Sequence, residues 1–268
     1  MFCLLYESKI ITMGNWVAGT PMVNSGLRFS IASFAAWAPG IETTDAWLAW
    51  SRGEVSVNGH GEPPVRAMAP ILRRRAGSLS KMALEVAYEC LGKKANVPMV
   101  FCSRHGESAR SVDLLSDLAN KIPLSPTSFA LSVHNASAGL FSMARLDHAA
   151  STALAAGRSS VEHAVIEACA LLAEGEPEAL LVVYDCPLPA LYAGFADCCD
   201  QPFAWAWLLQ PPVAEFCELT WRAEDESCAR PRDSLPGGLE ILRFHLRGDA
   251  TLERLCDRRR WIWTRHVQ

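Results

Sequence analysis

Two short, unbroken apolar runs most constrain the fold: VPMVFCS (97–103) and ALLVVYD (179–185). Neither alternates polar with apolar residues, so neither has a face to offer to water. Runs this short, bounded by Pro98 and Ser103 or closed by an acid, read as strands buried on both faces. Such strands need helices above and below them, and the neighbouring segments supply these. LSKMALEVAYECLG (79–92) places Leu79, Met82, Ala83, Val86, Ala87, Cys90 and Leu91 on one helical face, with Ser78 or Ser80 as the expected cap and Gly92 as the stop. Helices are also expected over 45–53, 107–121 and 159–175. The stretch 128–146 reads as extended at first and helical after His134–Asn135. Strands are expected at 27–33 and 151–157, and at 203–210 and 215–223 as an antiparallel pair. Residues 54–70 are Gly/Pro-rich loop. Trp261 and Trp263 alternate with polar neighbours, as in a final strand that lays indoles into a core or interface. Apolar strands alternating with helices predict an α/β fold on a largely buried, mainly parallel sheet.

Composition narrows the function. Half of the 268 residues are hydrophobic, a fifth are charged, and the net charge is −4. That excludes a disordered chain and a nucleic-acid binder driven by bulk charge. No apolar stretch is long enough to span a membrane. The ten cysteines form no C-x-x-C pair and mostly sit inside apolar runs. Free thiols and a cytoplasmic location are therefore expected. Residues 1–26 lack the plan of a signal peptide and read as a poorly ordered extension. Residues 27–223 read as the domain. Residues 224–268, with their basic-aromatic tail, read as a segment packing on the domain or on a partner.

The motifs that carry chemistry are sparse. No glycine-rich nucleotide turn, no G-x-S-x-G elbow and no zinc-type histidine spacing occurs, so no cofactor and no metal is expected. Cys198–Cys199 has no histidine beside it. CSRHGE places Ser103 at a strand end near His105 and Glu107, which leaves open a Ser–His nucleophile pair or a simple turn anchor. His134 and Asn135 sit at a strand-to-helix turn, where both can bond backbone. Arg73, Arg74 and Arg75 form either a solvated patch or a docking site for an acidic partner.

From 125 to 185 the sequence resembles the N-terminal half of the β-ketoacyl synthases, condensing enzymes of the thiolase fold. SPTSFALSVHNASAGLFSMARL and STALAAGRSSVEHAVIEACALLAEGEPEALLVVYD carry the resemblance, which extends over roughly 27–223. RRRAG, FCSRHGE and the terminal WIWTR are similar to the short members of this family encoded with aryl polyene or xanthomonadin-type pigment genes, which are chain-length-factor-like partners of a full-length synthase. The resemblance implies a thiolase-like fold with a truncated C-terminal half. It also implies a heterodimer with a catalytic β-ketoacyl synthase and an acyl carrier protein as a further partner, which Arg73–Arg75 would dock.

The departures bear on activity. The family's nucleophile is a Cys at the start of the helix after STALAAG, where the helix N-terminus favours a thiolate. Ungapped counting puts Arg158 there, and a one-residue shift puts Gly157. Neither is a nucleophile, and the family's two histidine motifs have no counterpart. The expectation is therefore a non-catalytic subunit. The alternatives are an acyl-thioester hydrolase or acyltransferase using Ser103 or Ser159, or a carrier-protein docking module.

Overall fold

The structure is a computed structural model that describes residues 26–224 and 234–267. In chain order the strands are β1 (Leu27–Trp37), β2 (Met99–Cys102), β3 (Ser151–Leu154), β4 (Ala179–Asp185), β5 (Phe203–Gln210), β6 (Glu215–Ala223), β7 (Thr251–Cys256) and β8 (Arg259–Val267). The helices are α1 (Thr44–Arg52), α2 (Pro70–Arg73), α3 (Ser78–Leu91), α4 (Ser108–Ala119), α5 (Pro126–Ala130), α6 (Ala136–Arg145), α7 (Ser160–Ala173) and α8 (Gly237–Arg247). All eight strands form one sheet in the order β3-β2-β4-β5-β1-β6-β8-β7.

The two apolar runs become β2 and β4, adjacent and parallel, with every residue of both buried. β4 shows how the sheet separates two cores. Leu180, Val182 and Tyr184 face one side, with α3 and α6, while Ala179, Leu181 and Val183 face the other, with α7 and α8. β5 sorts by size in the same way. Trp205 and Trp207 fill the α7/α8 side, while Ala204 and Ala206 leave the opposite surface flat, where α3 lies with the fully buried Ala83 and Ala87. Small residues on both surfaces let helix and sheet approach closely, and large indoles fill the thicker layer.

Several expectations change. Only β2–β3 and β2–β4 are parallel, and the other five adjacent pairs are antiparallel, so the sheet is mixed rather than mainly parallel. An apolar run reports burial on both faces but not strand direction. β5 and β6 do not pair with each other: β1 runs between them, antiparallel to both. The start of 128–146 is not extended, because Ser125 accepts from the Ser128 amide and Pro126 opens the short helix α5. Neither serine caps α3. Gly77 holds the N-cap, Ser78 Oγ donates to Glu62, and Ser80 is buried with its Oγ donating to Glu107. The 151–157 strand ends at Leu154.

Residues 234–267 pack on this chain. β8 pairs with β6 along its whole length, and Trp261 and Trp263 are buried in the α7/α8 core. Among the described residues no helix is long and apolar enough to cross a membrane.

Candidate functional site

The turn to which the sequence resemblance assigns the family's nucleophile lies where β3 hands over to α7. The chain leaves β3 through Ala155 and Ala156, turns at Gly157 and passes Arg158 and Ser159 in a single 3-10 turn before α7 begins. Gly157 has φ +59, a conformation that disfavours a side chain, and a Cβ there would stand 3.4 Å from Asp257. Ser160 Oγ fastens the turn, accepting from the Ala156 amide at 2.9 Å and donating to the Gly157 carbonyl at 2.7 Å. The Ser159 carbonyl accepts from His163 Nδ1 at 2.8 Å. His163 therefore holds the turn rather than serving a hydroxyl.

The C-terminal hairpin closes this elbow. β7 and β8 are joined by the two residues Asp257 and Arg258, at φ 51 and 58, the backbone of a tight turn that usually selects Asn-Gly. The tip brings the Asp257 carboxylate to the N-terminus of α7. Asp257 Oδ2 accepts from the Ser159 amide at 2.8 Å and from Ser159 Oγ at 2.7 Å, and Oδ1 lies 3.6 Å from Arg158 Nε. An anion at a helix N-terminus is favoured by the open amides and the helix dipole. Here the protein supplies that anion from its own chain.

Arg254, on β7, is the second anchor. Its guanidinium is 1% exposed, pairs with the wholly buried Glu162 of α7, donates to Glu240 of α8 at 2.8 Å and donates to the Arg158 carbonyl at 3.1 Å. Burial lowers the basicity of Arg254, but Glu162 and Glu240 more than compensate and raise its pKa overall. Gly237 lies against it, and a Cβ there would overlap the guanidinium and force it to shift. The space left between Arg104, Arg158, Asp197, Cys198, Gly237 and Arg254 is about 10 Å³, room for about one water.

Ser103 belongs to a different arrangement at the ends of β2 and β4. Its Oγ donates to Asp185 at 2.9 Å and accepts from the Gly106 amide at 2.8 Å. The Asp185 carboxylate also accepts from the Arg104 amide at 3.0 Å. Burial raises the Asp185 pKa, and the bonds from Ser103 and Arg104 partly oppose it. His134 Nε2 donates to the Ser103 carbonyl at 2.9 Å, not to the hydroxyl. Of the two readings the sequence left open, the geometry is that of the turn anchor, with Ser103 bonded to Asp185 rather than to His105. Asn135 is the N-cap residue of α6 but makes no side-chain cap bond.

The remaining candidates sit apart. Arg73 donates to the Pro64 carbonyl at 3.1 Å, which leaves Arg74 and Arg75 as the exposed pair of that run. Cys198 meets Arg104 and Asp200. Burial pushes the thiols of Cys169, Cys186 and Cys198 up to about 12, so none is a ready thiolate. Cys3 and Cys228 lie outside the described residues. Asp257, Arg254 and Glu162 were not legible as a site in the sequence. Their only signals are an acid in a two-residue turn and a Glu on the apolar face of a helix.

A profile of the β-ketoacyl synthase N-terminal domain matches residues 47–264. The chain belongs to the β-ketoacyl synthase family. The family match runs past residue 223 and takes in β7 and β8, so the closing hairpin lies inside the matched region. No curated protein sequence matches the chain significantly. Among solved structures, the chain is similar to one in a complex described as a ketosynthase (ApeO) with its chain length factor (ApeC) from Xenorhabdus doucetiae. Identity there is 29% and the TM-score 0.78, over 89% of this chain and 99% of that one. It also shares its fold with a chain of the ishigamide ketosynthase/chain length factor, at 12% identity and TM-score 0.67 over 90% and 99% of the two chains. Against the ketosynthase from module 6 of the bacillaene synthase of Bacillus subtilis 168 the values are 10% and 0.52, over 75% of this chain and 42% of that one. The thiolase-like α/β fold is thus shared with chains of ketosynthases and of ketosynthase–chain length factor complexes, two of which are matched over 99% of their length.

Proposed function

We infer that this chain is a non-catalytic, chain-length-factor-like subunit that pairs with a catalytic β-ketoacyl synthase in aryl polyene or related fatty-acid-like biosynthesis. What carries the reading is that Arg158, or Gly157 with a one-residue shift, stands where the resemblance puts the family's nucleophile cysteine. A condensing enzyme must form a thioester on a nucleophile and then stabilise an enolate oxyanion. A guanidinium is charged throughout the accessible pH range and forms no thioester. The similarity to a chain from a ketosynthase–chain length factor complex, covering nearly all of that chain, supports the same role.

The surface fits a paired subunit. β3 ends the sheet, bonded to β2 along one side only. An open strand edge is a template for another strand. Around it and on α4–α6, Leu118, Phe129, Met143 and Leu146 are exposed, Leu146 to 85%. The partner would be a full-length synthase and the cargo an acyl chain on acyl carrier protein, with Arg74 and Arg75 as the basic groups offered to that carrier. A cytoplasmic location follows from this role.

A hydrolase or acyltransferase reading through Ser103 or Ser159 finds no support in the geometry. Both hydroxyls donate to carboxylates, Asp185 and Asp257, and the histidines beside them bond backbone carbonyls instead.

Co-expression with the synthase encoded nearest to this chain, followed by mass analysis during size exclusion, tests the reading. A stable 1:1 complex is expected, whose condensing activity vanishes when the synthase's own nucleophile is replaced and survives Ser103→Ala in this chain. A monomer that ignores the synthase, or activity that depends on Ser103, overturns it.

A further inference from the structure

The loss of the family's cysteine suggests that one substitution, Arg158→Cys, would restore an acylatable thiol. The surroundings of Arg158 say otherwise. We propose that Asp257 is a built-in occupant of the nucleophile elbow, so that this chain is closed to electrophiles whichever residue stands at 158.

Three observations carry the proposal. First, the amide that opens α7 is already used, because the Ser159 N–H donates to Asp257 Oδ2 at 2.8 Å and Ser159 Oγ donates to the same oxygen. An incoming acyl oxygen would have to displace a carboxylate held by two donors and by the Arg158 guanidinium. Second, the hairpin tip that carries Asp257 is not a loose flap. β7 and β8 are paired from Thr251 to Thr264, and Arg254 ties the hairpin to Glu162, Glu240 and the Arg158 carbonyl. Third, the space beside residue 158 holds about one water and no acyl chain. The Arg158 side chain reaches 25% exposure only because it is long. A cysteine ends two bonds from the backbone and lacks that reach.

The inference concerns a closed site and holds whether or not the chain pairs with a synthase. Among the described residues, the charged and titratable groups around residue 158 include Asp257 on the hairpin, Arg254 on β7, Glu162 and His163 on α7, and Arg104, Asp197 and Cys198 across the gap. Asp257 alone among them accepts from the Ser159 amide.

The test is the rate at which iodoacetamide alkylates the thiol introduced by Arg158→Cys, read peptide by peptide by mass spectrometry in the full chain as purified, with any partner bound. The thiolate sulfur displaces iodide from the reagent and the thiol proton goes to solvent. Exposed Cys199 is the internal reference for open access, and buried Cys256, next to the tip, reports whether the hairpin stays down. In the Arg158→Cys protein the introduced thiol should react at least about tenfold more slowly than Cys199, as access controls thiol reactivity. Asp257→Gly is the informative second change, since glycine accepts the positive φ of the turn and removes only the carboxylate. In the Arg158→Cys/Asp257→Gly protein, the same thiol should react about tenfold faster than in the single variant, with Cys256 still protected, the scale of freeing one charged hydrogen-bonded occupant. A thiol in the single variant that reacts at the rate of Cys199 overturns the proposal. So does a double variant no faster than the single one. Labelling of Cys256 together with the introduced thiol also overturns it, because Asp257 would then only fasten the hairpin.

Discussion

Arg254 and Glu162 set the energetics of the closed elbow at the scale of single residues. Glu162 is wholly buried, and Arg254 is its cation. Removing one partner of such a pair leaves an uncompensated buried charge, at a cost of about 3–5 kcal/mol, whereas replacing both with apolar groups of similar volume is often close to neutral. Arg254→Ala and Glu162→Ala should each lower the urea midpoint strongly, and Arg254→Met/Glu162→Leu should recover much of the loss. A double variant as unstable as the sum of the singles would show that the two side chains act independently. Little of this was visible beforehand. The resemblance puts Arg158, or Gly157 with a one-residue shift, at the nucleophile position, but the residues that close the site come from a hairpin about a hundred positions away. No local pattern reports a contact at that separation.

At the scale of an element, α8 is held to the sheet through His245. Its ring lies 5.2 Å from those of both Phe34 on β1 and Trp207 on β5. Burial, together with the nearby Arg265, pushes its pKa down from 6.5 to about 4, against an opposing pull from Glu215. The unfolded chain therefore takes up a proton near pH 6.5 that the folded chain refuses until about pH 4. Stability must fall as pH drops through that window, by at most about 3 kcal/mol for this one group. His245→Phe keeps an aromatic ring in the contact and removes the proton, so its stability should be flatter between pH 6.5 and 4. Parallel profiles for the two proteins would refute the assignment. Elements with a strong local signal were legible in advance: the apolar runs of β2 and β4, and the periodic faces of α3 and α7. The misread ones depended on partners far away in sequence. β5 and β6 look like a hairpin because they are consecutive, yet β1, nearly two hundred residues earlier, separates them.

For the whole molecule, the two ends of the sheet differ. The β7 end is covered from the α7 side by α8 and its ion pairs, whereas β3 leaves an edge open beside exposed Met143 and Leu146. Long exposed apolar side chains beside an open edge mark a surface meant to be covered. Met143→Asp/Leu146→Asp should weaken the proposed complex with a synthase by about tenfold or more while leaving the fold of this chain intact, because both side chains stand in solvent. Unchanged binding in a titration would place the partner elsewhere. The family fold was legible from 125–185, where the phrasing follows the strand–helix–strand order of the sheet. The reach of the match beyond residue 223 was signalled only by WIWTR in β8, because β7 and the rest of the hairpin carry few motif residues and declare themselves by pairing. That pairing brings a dense group of indoles together across the sheet and its α7/α8 layer. Trp205 and Trp207 lie 4.5 Å apart, Trp207 lies 6.4 Å from Trp263, and Trp221 lies 5.5 Å from Trp261. Chromophores this close exchange excitation, so the Trp207–Trp263 and Trp221–Trp261 contacts add to the ultraviolet circular dichroism an exciton contribution that is present only when β8 is seated. The protein thus has an intrinsic optical signature of the seated C-terminal strand, one that needs no label and no substrate.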